Sequence, residues 1–118
     1  MKDLQFIEKA IDWAKKHGFK TLKANAEGYE TPTKFILQEG KQSFVPDITA
    51  IHLGGKNYIE IASKTENVNR SVSKWKLLST LANKKGGKFF LLAPKGHKYF
   101  TEKLVEQYNL SAEVVYLK

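Results

Sequence analysis

An aspartate behind a proline and a glutamate set among apolar strand residues are the groups in this chain best placed to do chemistry. The stretch reads Phe44-Val-Pro-Asp47-Ile-Thr-Ala-Ile, later Gly-Gly-Lys, then Asn-Tyr-Ile-Glu60-Ile-Ala-Ser-Lys64. Acidic residues are depleted in strands, and Glu60 sits between Tyr58, Ile59 and Ile61. An acid there needs a partner. If the two strands close a hairpin through Gly54-Gly55, the Asp47 and Glu60 carboxylates can approach each other. A hard divalent cation such as Mg²⁺ or Mn²⁺, held by carboxylate oxygens, water and a backbone carbonyl, would be one such partner. The other reading is an exposed Glu on a solvated sheet face, paired with Lys56 or Lys64.

Other candidate motifs are weaker. Gly-Gly-Lys occurs at 54–56 and again at 86–88, without phosphate-loop spacing or a following Ser or Thr. His17, His52 and His97 are scattered. Trp75 falls on an apolar helical stripe and reads as core. With no cysteine in the chain, a disulfide framework, a zinc knuckle, an iron–sulfur centre and a cysteine nucleophile are all excluded.

Charge narrows the partner. The 118 residues include 20 Lys and Arg against 12 Asp and Glu, a net charge of +8. The excess lies between Ser63 and Lys103, where ten basic residues face only Glu66 and Glu102. A basic half of this kind suggests a polyanion such as nucleic acid. A lysine-rich solvated surface is the alternative. Arg70 is the only arginine, so attraction to phosphate fits better than base reading by bidentate guanidinium groups. Arg70, Lys74, Lys76, Lys84 and Lys85, all on one stretch, are the candidate contacts. No apolar run approaches a membrane span and the N-terminus lacks a secretory core, so the expectation is a cytoplasmic protein without a membrane partner. The length suits one domain over residues 1–118.

The elements that would hold these residues follow from periodicity. Leu4, Ile7, Ala10, Ile11 and Ala14 predict a helix over 4–16, with Asp3 as N-cap and Gly18 as stop. A strand could run over 21–26, and three strand-like runs follow, at Phe35-Ile-Leu-Gln38 closed by Glu39-Gly40, at 44–53 and at 57–64. In the last run Ile59 and Ile61 alternate with Tyr58, Glu60, Ala62 and Lys64. Val68, Val72, Trp75, Leu78, Leu81 and Ala82 mark a second helix, capped by Asn67 or Asn69 and ended by Gly86-Gly87. Lys88 to Ala93 reads as a strand buried on both faces. A helix over 97–108 and a strand over 112–117 complete an α-βββ-α-β-α-β order.

Pro46-Asp47 followed by Glu60 at the end of a hairpin, with lysine nearby, resembles the PD-(D/E)XK nuclease superfamily. Within it the chain is most similar to archaeal Holliday-junction resolvases and related restriction-endonuclease-like proteins. The similar features are an N-terminal helix carrying Glu8, the Gly18-Phe19 step, Pro46-Asp47-Ile-Thr-Ala, and the helix ending in Gly86-Gly87 before an apolar strand. They extend over residues 4–94. The resemblance implies an α/β fold with a restriction-endonuclease-like αβββαβ core. Its mixed central sheet would be flanked by helices, with an extra C-terminal helix and strand. It also implies a Mg²⁺- or Mn²⁺-dependent endonuclease acting on DNA. At this size there is little room for a target-recognition domain, so any specificity should be for nucleic-acid structure rather than sequence, or come from a dimer or partner. Asp47, Glu60 and the Ile61 carbonyl would hold the metal, and Glu8 would assist. The family lysine falls two residues after the second acid, where this chain has Ala62. Lys64, on the same face of an extended strand, would take its place, or Lys74 on the following helix. The departure bears on cleavage and not on fold. A non-catalytic nucleic-acid-binding member, or a protein-interaction module, remains the alternative, and a homodimer is one route to specificity.

Overall fold

The structure, a computed structural model, describes residues 4–37 and 42–117. The expected Asp3 cap and the Gln38-Glu39-Gly40 strand end lie outside the described residues. The elements are α1 (Leu4–Lys16), β1 (Lys20–Ala24), β2 (Phe35–Leu37), β3 (Gln42–Phe44), β4 (Ile48–His52), β5 (Gly55–Ile61), α2 (Val68–Lys84), β6 (Phe89–Pro94), α3 (Lys98–Gln107) and β7 (Glu113–Leu117). None of the described helices is long and apolar enough to cross a membrane.

Five strands form a mixed sheet in the order β1-β4-β5-β6-β7. β1, β4 and β5 run antiparallel, whereas β5, β6 and β7 are parallel and need α2 and α3 as crossovers. α1 covers one face through Ile7, Ala10, Ile11 and Ala14, packed on Ile48, Ala50, Ile59, Ile61, Phe90 and Leu92. α2 and α3 cover the other face, where Val72, Trp75, Leu78 and Leu104 meet Tyr58, Phe89 and Leu91. β5 and β6 are therefore buried on both sides, which the continuous apolar run of β6 requires. Trp75 is a core residue, 1% exposed.

Two strand boundaries differ from the sequence reading. The run 44–53 is not one strand. β3 pairs with β2 in a separate two-stranded sheet, and β4 joins the main sheet only from Ile48. The break falls at Val45-Pro46-Asp47, where Pro46 has no N–H to give a ladder. The expected 57–64 strand spans Gly55–Ile61 instead. The hairpin turn is accordingly Leu53-Gly54, with φ of 51° and 82°, the paired positive values of a two-residue hairpin turn.

The two Gly-Gly-Lys segments meet. A Cβ on Gly87 would collide with the Lys56 carbonyl oxygen, and one on Gly55 with that of Gly86. The repeated glycines thus permit backbone-on-backbone contact between the start of β5 and the loop after α2, rather than phosphate binding. Gly87→Ala should destabilise by about 1–3 kcal/mol, as forced overpacking does. A thermal melt unchanged within a degree would refute the close approach.

Tyr58 is fully buried, and its hydroxyl finds no hydrogen-bond partner among the described residues. Burial pushes its phenol pKa up. A raised folded value makes this contribution complete below the unfolded value and lost as pH rises through the folded one. Tyr58→Phe should therefore stabilise by about 1 kcal/mol, by removing the orphan donor, and flatten the alkaline loss of stability in urea titrations. A destabilised variant would show that the hydroxyl has a partner.

Candidate active site

Asp47 stands at the bend before β4, where Pro46 ends the previous pairing. Asn25 fixes this bend: its side-chain amide donates to the Pro46 carbonyl at 3.1 Å, and its N–H donates to the Asp47 carbonyl at 3.1 Å. In the β4–β5 ladder Ile48 pairs with Ile59, so one further step sets Asp47 opposite Glu60. There the side chains take over from the backbone. The Asp47 N–H donates to Glu60 Oε2 at 2.5 Å, and the Ile61 N–H donates to Asp47 Oδ2 at 2.9 Å. The two acids clasp the ends of adjacent strands.

Glu60 is 0% exposed. Alternation along β5 sends Ile59 and Ile61 toward α1 and Tyr58 and Ala62 toward α2, so Glu60 faces α2. Lys74, in the second turn of that helix, places Nζ 2.8 Å from Glu60 Oε1. Asn67 caps the helix by accepting from the Arg70 N–H at 3.0 Å, which fixes the phase. Arg70 and Lys74, four residues apart, consequently share one side. The Arg70 guanidinium donates to the Ser43 carbonyl at 2.8 Å and lies 4.7 Å from the Phe44 ring centre, tying the β2–β3 hairpin to α2.

Between these elements opens a cleft of about 840 Å³, whose walls include Asn25, Lys34, Ser43, Asp47, Glu60, Glu66, Arg70 and Lys74. Among the described residues its lining carries three cations and three carboxylates, a formal balance of zero. Among the described residues no third Asp, Glu, His or Cys joins Asp47 and Glu60 in a metal-ligating cluster.

The structure thus brings Asp47, Glu60, the Ile61 backbone, Arg70 and Lys74 together. It does not bring in Lys64. β5 ends at Ile61, so the face that 60 and 62 share does not continue to 64. Lys64 is exposed, with its N–H bonded to His97 Nδ1 at 3.0 Å. Glu8 is exposed on α1 and does not line the cleft. Lys76 turns the other way, 5.1 Å from the Tyr108 ring. Lys84 and Lys85 lie about 20 Å along the helix from Arg70, at 1.5 Å per residue. The five basic candidates therefore do not form one surface. Sequence reasoning missed Asn25, Lys34 and Ser43, which reach the cleft through long-range contacts that no local pattern marks.

Comparison of the chain with protein-family models, with curated proteins and with solved structures finds no match.

Proposed function

We propose that this chain is a PD-(D/E)XK-type, metal-dependent endonuclease acting on DNA by structure. The observation that carries the reading is the juxtaposition of Asp47, Glu60 and Lys74 at one wall of an open cleft. The mixed sheet adds support: a helix, an antiparallel meander of β1, β4 and β5, then a helix and a parallel strand follow the order of the αβββαβ core. The β2–β3 hairpin is an insertion in that meander, and α3 and β7 are the C-terminal extension.

The donor set fits a divalent cation. Two carboxylates from adjacent strands supply hard oxygen ligands of the class Mg²⁺ and Mn²⁺ take, with the Ile61 carbonyl as a further candidate. Such an ion would polarise a phosphodiester and lower the pKa of a bound water. The remaining work falls to the chain. The Ile61 N–H fixes the Asp47 carboxylate, and the Asp47 N–H fixes Glu60, so neither acid must reorient. Lys74 approaches Glu60 from the helix and would stand where the absent strand lysine does in the superfamily, facing the reacting phosphate. Arg70 and Lys34 hold positive charge along the approach.

A second reading has its own observation. The reciprocal clasp and the Lys74 ion pair are also a sufficient structural reason for two buried acids, as in a non-catalytic member of the fold. Nicking of supercoiled and four-way-branched DNA separates the two. The enzyme should cut with Mg²⁺ or Mn²⁺ and stop on chelation. DNA binding without any metal-stimulated cutting, and without Mn²⁺ binding by calorimetry, would establish the non-catalytic reading.

A further inference from the structure

The described lining of the cleft is formally charge-balanced and does not account for the net charge of +8. A concentration of it lies on the α2-facing side of the meander, the face that also carries Glu60, but toward the β4–β5 hairpin end. In β1 the register shifts between Lys20 and Lys23, at Thr21 with φ of 51°. In a regular strand two residues three apart point to opposite faces. The bulge instead sets Lys20 opposite Ile51 and Lys23 opposite Thr49, and Ile51 and Thr49 share a face. Ile51 in turn pairs with Lys56 of β5. Lys20, Ile51 and Lys56 form a transverse row, with the outer two backbones about 10 Å apart at the usual strand spacing. From the other side the loop after α2 closes in, where the Lys56 N–H donates to the Lys85 carbonyl at 3.3 Å. Burial lowers the Lys56 ammonium pKa, and the positive charges of Lys85 and Lys23 lower it further. The nearby Lys23–Glu30 pair, 3.8 Å long with Glu30 77% exposed, is a solvated contact of little weight.

We propose that Lys20, Lys23, Lys56 and Lys85 form a second DNA-contact surface, built by the β1 bulge and the Gly-Gly-Lys clasp, that takes the sugar–phosphate backbone. It rests on the reading of the chain as a DNA-binding protein and relocates the affinity: the cleft carries chemistry and the bulge surface carries phosphate attraction. Lysines without a neighbouring arginine attract phosphate without reading sequence.

The test is the salt dependence of binding to a fluorescent 30-base-pair duplex, for wild type and for the triple variant Lys23→Ala, Lys56→Ala and Lys85→Ala. Each lost phosphate contact should reduce the slope of log K against log salt by about 0.9, so the triple variant should lose about 2–3 units of slope. Its affinity at 100 mM salt should fall at least tenfold. The corresponding Lys→Arg triple variant should bind as wild type, which separates charge from folding. Lys95→Ala with Lys103→Ala, elsewhere on the molecule, should leave the slope within one unit. An unchanged slope in the alanine variant, while wild type binds and cuts, would overturn this surface and leave the nuclease reading standing. Displacement of the duplex by polyglutamate as readily as by unlabelled DNA would overturn it in favour of an acidic protein partner. Absence of any wild-type binding at 50 mM salt would remove both readings.

Discussion

Lys74→Met should destabilise the protein by about 3–5 kcal/mol, the usual result of stripping one partner from a buried ion pair. Glu60 is 0% exposed and its Oε1 lies 2.8 Å from Lys74 Nζ, a side chain itself only 15% exposed. Removing the ammonium takes away a positive charge 2.8 Å from a carboxylate held inside the α2 interface. The double variant Lys74→Met with Glu60→Gln should recover much of the loss, because the amide oxygen can still accept from the Asp47 N–H while the buried charge is gone. Urea unfolding of the two single variants and the double variant gives the coupling. A cost below about 1 kcal/mol for Lys74→Met would place the pair among solvated surface contacts and weaken the case for a pre-set catalytic lysine.

On the proposed nuclease reading, Asp47→Asn should lower metal-stimulated cleavage by about 10²–10³-fold, comparable to losing one pre-organised electrostatic group, with duplex affinity little changed. The substitution is chosen for what it retains. An asparagine oxygen can still accept from the Ile61 N–H now bonded to Asp47 Oδ2 at 2.9 Å, so the strand clasp survives and only the charge is lost. Asp47→Ala would remove both and confound folding with chemistry. Cleavage of branched DNA with Mg²⁺ is the measurement, with the melting temperature as control. Full activity in a folded Asp47→Asn protein would exclude Asp47 from the reacting centre.

The contrast between Lys64 and Lys74 shows where the sequence sufficed and where it did not. Alternation in β5 and the helical stripe of α2 are local consequences of a two-residue and a 3.6-residue period, so Glu60 among apolar strand residues and Trp75 in the core were legible from the chain. The mixed α/β order was legible for the same reason. Pairing of Asp47 with Glu60 was foreseeable because a short hairpin links them. The end of β5 was not. Lys64 shares a face with Glu60 only while the strand continues, and it stops at Ile61. Lys74 reaches Glu60 because the Asn67 cap sets the phase of α2 over the sheet. The β1 bulge was equally hidden: one register step reverses which face a lysine occupies, and nothing in Lys-Thr-Leu-Lys announces it. Composition and periodicity determined the layers, the strand interiors and the acids worth watching, because these depend on neighbours in the chain. Which lysine meets which acid, and which lysines share a face, was decided by helix phase and strand register, set by contacts between residues far apart in sequence.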